Sequence, residues 1–400
     1  MACRRGRWIS SAVAAILVIL TTHPIQYQVP LWQALARDGR VPFEVWYMSR
    51  HGVAPSADRE FGATFAWDID LLSGYPHRFL AGAEGSRPGA FWGCRLQESL
   101  ARRLRVSGAT ALWIQGWQVA GYWEAARLAR SAGVDLWLRG ESNDRAVTPL
   151  WKQPVKRLAL GYLFGRVDCF LTIGKVNRWL YRHYGVADDR LFAAPYAVDN
   201  ARFAGQAEAA RPQRAAMRRQ WGVAEDAFCV LFCGKFIAKK RPMDLVRAAA
   251  RLSAAPNGRK VHLLFVGAGD LEAELRAACG HGPPASFVGF LNQTEISRAY
   301  VAADCLALPS GSAETWGLVV NEALASGLPC IVSDACGCAD DFVGADAVAI
   351  FPVGDIAALA ARIAAYAADP PDAAACARAL AGYSFADTVA TVAVLAGARS

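Results

Sequence analysis

Not one C-x-x-C pair occurs among the eleven cysteines of these 400 residues, and that spacing is the usual basis of a structural zinc site. Cys336 and Cys338 form a lone C-x-C with no second pair nearby, so zinc is not expected. Cys229, Cys233, Cys305 and Cys330 lie inside apolar runs, where a thiol serves as a small hydrophobe. An odd, unpaired set of this kind suits a reducing compartment. A run long enough to cross a bilayer is missing at the N-terminus too. The mostly apolar stretch 12–20 is less than half of the ~20 residues that a spanning helix needs. Arg4, Arg5 and Arg7 precede it in the manner of a signal peptide, yet Thr21-Thr22-His23-Pro24 follows where a small-residue cleavage site belongs. Residues 15–21 are therefore expected to form a first buried strand. The dinucleotide fingerprint is incomplete: after Gly267 and Gly269, Glu272 stands in the third glycine's place, and no acidic residue is clearly placed about twenty residues on. That argues against NAD. No basic–aromatic stripe falls on one identifiable element, which argues against nucleic acid, and no internal repeat is found.

What is present is apolar bulk. With 54% hydrophobic and 20% charged residues, the chain can bury substantial cores, and its length is that of two domains. Charge is uneven: residues 1–200 carry 25 Lys and Arg against 16 Asp and Glu, whereas residues 201–400 carry 18 against 19. A basic first half points to an anionic partner on that side, either acidic lipid headgroups or a phosphorylated acceptor. A solvated, Arg-rich surface accounts for it equally well.

Short apolar runs alternate with Ala/Leu/Arg-rich helical stretches, the pattern of parallel sheets with crossover helices. Strands are expected at 15–21, 43–47, 111–114, 135–139 and 169–173, with helices at 30–38 and 122–132. Residues 149–164 are basic and aromatic, and read as a packed helix or one that touches a membrane surface. The second half begins afresh. It has strands at 229–233, 261–266, 286–288, 305–308 and 330–333. Its helices fall at 242–254, 271–278, 295–302 and 316–326, the last stopped by Gly327 with Pro329 beyond. Residues 357–368 read as plain Ala-rich helix. The expected division is a first domain over 1–200, a linker over 201–225, a second domain over 226–375 and a helical tail over 376–400. The expected fold is α/β, two Rossmann-like domains whose parallel sheets face each other across a cleft, where such folds bind ligands.

Three segments of the second half carry the chemistry. Gly234-Lys235-Phe236-Ile237-Ala238-Lys239-Lys240-Arg241-Pro242 follows a strand directly and sets cations on a loop that enters a helix, as neutralising a diphosphate leaving group requires. Lys235 and Lys240 are the candidates, and Lys239 and Arg241 can be simply solvated. The turn Val266-Gly267-Ala268-Gly269-Asp270 lies near a nucleotide in this reading. In the third segment Gly317 permits close backbone approach, and the amides of Leu318 and Val319 open a helix whose positive end suits a phosphate. Glu314 and Glu322, eight positions apart around that entry, can accept hydrogen bonds from hydroxyls. One anion site flanked by two hydroxyl-binding groups describes a nucleotide-sugar pocket. Helix capping is the plainer role for either glutamate.

These pieces stand in a fixed order: G-K-x4-K from Gly234, V-G-x-G from Val266, F-V-G-F from Phe287, L-P-S from Leu308 and E-T-W-G-L-V-V-N-E-A-L-A-S-G-L-P-C-I from Glu314. In that order they resemble the donor half of a retaining family 4 glycosyltransferase with the GT-B fold, from about Cys229 to Val343. The first half resembles bacterial members that build surface polysaccharides, through THPIQYQVPLWQAL, LRGESN and PYAVDN. The resemblance implies a sugar moved from a nucleoside diphosphate with the anomeric configuration retained, and no required metal or cofactor. It further implies that Lys235 and Lys240 bind the diphosphate, Glu322 the ribose and Glu314 the donor sugar, with residues 287–292 framing the base. Where many relatives carry a His after the strand at 111–114, this chain reads Gln115-Gly116-Trp117. His23 replaces a glycine-rich turn and is a candidate for acceptor or diphosphate contacts; Glu141 is another cleft candidate. Asp68-Ile69-Asp70 copies a metal-binding signature from a different glycosyltransferase class, without its context. The implied partners are a nucleotide-sugar donor, a glycan or lipid-linked acceptor and an anionic membrane surface. The expected location is cytoplasmic, peripheral at the inner membrane face. A nucleotide-sugar epimerase of the same architecture and a catalytically silent homologue are the alternatives.

Overall fold

The computed structural model describes residues 16–53, 56–58, 63–65, 67–96, 99–143, 145, 149–254 and 260–397. Arg4, Arg5, Arg7 and the start of the 12–20 run lie outside them. The chain divides into two compact units. The first holds the chain up to Ser56, Asp70–Tyr196 and the segment from Phe385 onward. The second holds Ala197–Ser384 and the described residues between Ala57 and Ile69.

In chain order the first part runs β1 (Ile16–Thr21), α1 (Val29–Asp38), β2 (Phe43–Tyr47), then the short pair β3 (Ser56–Asp58) and β4 (Ala63–Phe65). There follow β5 (His77–Phe79), α2 (Leu100–Val106), β6 (Ala109–Ile114), α3 (Ala120–Ala132) and β7 (Asp135–Leu138). Next come α4 (Gln153–Phe164), β8 (Cys169–Thr172), α5 (Lys175–His183) and β9 (Leu191–Ala193). Seven strands form one sheet in the order β5-β2-β1-β6-β7-β8-β9, paired in parallel throughout. β1 reads ILVILT and only Ile16 at its start escapes full burial. Such continuous apolar runs are what a strand covered on both faces requires.

The second unit opens with α6 (Asn200–Ala210) and α7 (Arg214–Gln220), then β10 (Phe228–Cys233), α8 (Pro242–Ser253), β11 (Val261–Val266) and α9 (Glu272–Gly280). It continues through β12 (Ala285–Gly289), α10 (Ile296–Ala302), β13 (Cys305–Leu308), α11 (Leu318–Ala325) and β14 (Cys330–Ser333). β15 (Val348–Phe351), α12 (Ile356–Ala368) and α13 (Ala373–Ala379) complete it, and α14 (Phe385–Leu395) follows in the first unit. Its six parallel strands lie in the order β12-β11-β10-β13-β14-β15. Each unit has its own apolar core: Leu20, Leu112, Ile114 and Phe170 lie in the first, Phe232, Phe236, Phe265 and Ile331 in the second.

Several boundaries differ from expectation. Residues 201–225 are not a bare linker, because α6 and α7 occupy most of them and α6 packs on α10 and α11. The tail beyond 376 is shared, since α14 packs against α1 and β9 in the first unit. The helix expected at 316–326 starts only at Leu318, because Gly317 sits at φ 103°, outside helical space. Arg139, expected at the end of β7, has left the strand. Nine described cysteines carry free thiols, and Cys169 is disulfide-bonded.

Candidate active site

Both sheets have a strand at which the chain reverses its direction of growth. In the second unit it lies between β10 and β13, neighbours in the sheet although β11 and β12 come between them in sequence. The carboxyl ends of parallel strands at such a point open a crevice where ligands bind. The loop after β10 carries Gly234 to Arg241, and the loop after β13 carries Ser310 to Gly317. The Gly311 amide donates to the Lys239 carbonyl at 2.8 Å, which ties the two loops together.

Lys240 is the cation held most firmly there. Its Nζ lies 2.6 Å from Glu314 Oε2, with side-chain exposures of only 17% and 15%. The lysine stem passes over Gly234, its Cδ 3.7 Å from where a Cβ on that glycine would stand. Gly234 is backed by Gly267, where a Cβ would meet the Gly234 carbonyl oxygen at 2.0 Å. Only glycine is compatible with that approach. At Gly317 a Cβ would stand 2.7 Å from Leu308 Cδ2 and 3.8 Å from Glu314 Cγ. Lys240, Glu314, Gly234, Gly267 and Gly317 are thus gathered at one place by packing and chain path. Lys235 lies half-exposed beside Gly234, and Lys239 is exposed. Arg241 is not simply solvated: its Nε donates to the buried Asp244 at 2.6 Å, from a left-handed backbone (φ 51°) at the start of α8.

Leu318 and Val319 supply the first-turn amides of α11, which have no intrahelical carbonyl to donate to. One turn in, Glu322 Oε2 accepts from the Tyr300 hydroxyl at 2.6 Å, and the same hydroxyl lies 3.9 Å from Cys233 Sγ at the end of β10. Burial raises the Glu322 pKa above the ordinary carboxylate value, while the Tyr300 hydrogen bond and the Arg202 charge pull it back. Tyr300, Arg202 and Gly337 escape sequence reasoning. Gly337 leaves room for the Thr315 carbonyl, 1.8 Å from where its Cβ would stand, and only its place in a C-G-C after β14 hints at this. Tyr300 sits inside a helix with nothing in its surroundings to mark it. The turn at 287–292 is anchored by the Gly267 amide donating to the Gly289 carbonyl at 2.8 Å.

His23 lies in the first unit, just beyond β1, so it is not part of this cluster. Its Nδ1 is 2.9 Å from Thr22 Oγ1 and its ring meets His51 edge-on. Burial first and the neighbouring His51 second lower its pKa to about 4, so the imidazole is neutral at pH 7. Glu141 follows β7 and accepts from Gln28 Nε2 at 3.1 Å and from the Tyr27 hydroxyl at 3.3 Å, with Arg139 at 3.7 Å. Asp68 accepts from the Thr294 amide at 3.1 Å, whereas Asp70 caps the Leu72 and Ser73 amides of its own turn. Among the described residues, no group of three His, Cys, Asp or Glu side chains is arranged to hold a metal ion.

A D-inositol 3-phosphate glycosyltransferase of Nocardia farcinica is 36% identical over 169 residues, which cover 40% of this chain and 36% of that protein. A sulfoquinovosyl transferase of Arabidopsis thaliana is 36% identical over 104 residues, 26% of this chain and 19% of that one. The matches therefore span about a third or less of these relatives. Sucrose-phosphate synthase from Thermosynechococcus elongatus superposes with a TM-score of 0.69 at 18% identity, covering 95% of this chain and 98% of its own. Anabaena HepE, solved in complex with UDP and glucose, gives 0.68 at 16% identity over 96% and 99%. At those identities the likeness establishes the fold, GT-B with two Rossmann-like units. The sequence profile of one family, glycosyl transferases group 1, matches residues 213–381. Over this stretch, under half of the chain yet carrying every element of the second-unit cluster, the chain is similar to the glycosyl transferases group 1.

Proposed function

We propose that the chain transfers a sugar from a nucleoside diphosphate to a hydroxyl acceptor, with retention at the anomeric carbon, in the synthesis of a polysaccharide or glycolipid. The observation that carries this is the Lys240–Glu314 pair, held at the switch point against Gly234 and Gly317. Lys235, Lys240 and the amides of Leu318 and Val319 hold the diphosphate, Glu322 the ribose and Glu314 a hydroxyl of the donor sugar. Gly234, Gly267 and Gly317 let the ligand approach the backbone. Charge neutralisation in this scheme needs no metal or cofactor.

The acceptor hydroxyl forms its bond to the anomeric carbon on the face from which the diphosphate leaves. The bond to the diphosphate oxygen breaks, and the hydroxyl proton passes to a departing phosphate oxygen. The lysines and the helix terminus stabilise the charge that develops there. Relatives named D-inositol 3-phosphate glycosyltransferase and a fold neighbour solved with UDP-glucose support a sugar-nucleotide donor and make UDP the nucleotide to try first. His23 is assigned to the acceptor side.

The test is thermal unfolding with UDP, GDP, ADP, CMP and NAD, on the native chain and on Glu322→Ala. A ligand at 100 times its Kd stabilises the fold by about 2.7 kcal/mol, so one nucleoside diphosphate should raise the Tm of the native chain and do so far less in the variant. A response to NAD alone would sink the reading. The anomeric configuration of the product, followed by NMR, separates retention from inversion and transfer from epimerisation.

A further inference from the structure

Glu322 stands one turn into α11, and the last torsion of a glutamate is broad. A carboxylate there presents neither oxygen in a fixed direction unless a neighbour holds it. Tyr300 on α10 does so. It is only 1% exposed, and its hydroxyl donates to Glu322 Oε2 at 2.6 Å, the length of a charge-assisted bond. Cys233 Sγ lies 3.9 Å from the same hydroxyl oxygen, but a phenol has one proton to give, and the short contact to the carboxylate takes it. The Tyr300 ring is fixed in turn by Phe203 on α6, edge-on at a centroid distance of 6.3 Å. One carboxylate oxygen is thus fastened from a neighbouring helix. Glu322 remains partly exposed, and among the described residues no hydrogen bond reaches its Oε1.

We propose that Tyr300 is a positioning residue for the donor: by fastening Oε2 it aims Oε1 at a ribose hydroxyl, and so sets a preference for ribonucleotides over their deoxy forms. The inference rests on the reading of Glu322 as the ribose contact, and adds what makes that contact selective. A site built to accept from a hydroxyl rejects the analogue without it, because the acceptor is left unpaired. The same bond governs charge. Burial raises the Glu322 pKa, and the influences that pull it down are the Tyr300 hydrogen bond and the Arg202 charge. Burial also holds the Tyr300 phenol well above its ordinary value and pushes the Cys233 thiol up to about 12. Both therefore keep their protons near neutrality, and Tyr300 stays a donor. Arg202, from α6, is itself held by Gln293 at 2.7 Å and 3.1 Å. Without the phenol only Arg202 opposes burial, so the carboxyl takes up its proton at a higher pH and becomes a poorer acceptor.

The test is calorimetric titration of the full chain with UDP, 2′-deoxy-UDP and 3′-deoxy-UDP, or the same series on whichever nucleoside diphosphate raises the native Tm. These ligands share base and diphosphate, so the ratio of their affinities isolates the ribose contact at every pH. The native chain should bind UDP about 10- to 100-fold tighter than at least one deoxy form, the span of a hydrogen bond to a charged group. Tyr300→Phe keeps the ring against Phe203 and should cut that ratio about tenfold by weakening UDP alone. On acidification its ratio should begin to fall at a higher pH than the native one. A merely structural hydroxyl would lower the Tm and leave the ratio where it was. In a Glu322→Gln background, Tyr300→Phe should not change the ratio further. An unchanged ratio in Tyr300→Phe would overturn the proposal, as would equal native binding of UDP and both deoxy forms. The native chain also tests it without any variant: its ratio should hold through neutrality and fall only on the acid side, and a ratio already falling near pH 7 would sink the role of Tyr300. UDP binding with a ratio indifferent to Tyr300 leaves the transfer reading standing. No response to any nucleoside diphosphate removes that reading, and this inference with it.

Discussion

Lys240 and Glu314 are 74 positions apart in sequence, and removing either takes from a mostly buried charge its 2.6 Å partner. Attraction between them offsets their desolvation only while both are present. Lys240→Ala should therefore lower stability by roughly 3 kcal/mol, the low end of the range for breaking a buried pair, and lower the transfer rate on the order of 10²-fold or more through loss of charge stabilisation. Adding Glu314→Gln should restore most of the stability and none of the rate. Urea unfolding and steady-state assays of the two variants check this, and recovery of rate in the double variant would remove Lys240 from the chemistry. The sequence shows both residues as candidates, because a glycine and a strand end fix where each loop starts. It does not show that they pair, which depends on how β10 and β13 lie side by side. The Tyr300–Glu322 hydrogen bond is hidden for the same reason.

At the scale of elements, legibility follows length and burial. β11, β13 and β14 fall where expected to the residue, because strands buried on both faces read as unbroken apolar runs. β5 and β9 have three residues each, too few for a period, and only pairing with a neighbour defines them. α4 has an apolar inner face of Leu160, Leu163 and Phe164 and also an outer one. Trp151 just before the helix, then Val155, Leu158 and Tyr162, are 75%, 68%, 76% and 49% exposed, and the 4-3-4 spacing puts them on one face. Arg145, Lys152, Lys156, Arg157 and Arg166 lie in or beside this stretch, and no acidic residue occurs from 145 to 167. A basic helix with an exposed apolar face is suited to an anionic bilayer surface, and we propose that α4 makes that contact. No helix of the described residues is long and apolar enough to cross a membrane. The chain should sediment with vesicles containing anionic lipid and not with purely zwitterionic ones, and Leu158→Glu should weaken the association about tenfold. Equal sedimentation with both vesicle types would remove the electrostatic part of the argument.

The whole molecule is two cores threaded by one chain, and the thread does not stop where a domain count would place it. After α13 the chain returns to the first unit, where α14 buries Thr388, Val389, Val392 and Ala393. Its contacts are with α1 and β9, and Thr388 Oγ1 donates to the Pro195 carbonyl at 3.4 Å. Sequence periodicity can find such a helix but cannot say which core it covers, since Val and Ala would suit either. The consequence is measurable. Each valine buried there contributes about 1.5–3 kcal/mol, so a chain ending at Ser384 loses on the order of 4 kcal/mol from the first unit before the uncovered face of α1 is counted. The second unit keeps its sheet, its core and the Lys240–Glu314 cluster intact. In limited trypsinolysis the shortened chain should be cut many-fold faster within α1 to β9. A fragment of the second unit should survive, and UDP, or whichever nucleoside diphosphate stabilises the native chain, should still protect it. Loss of that protection together with the first unit would mean that the donor site depends on more than the elements that form it.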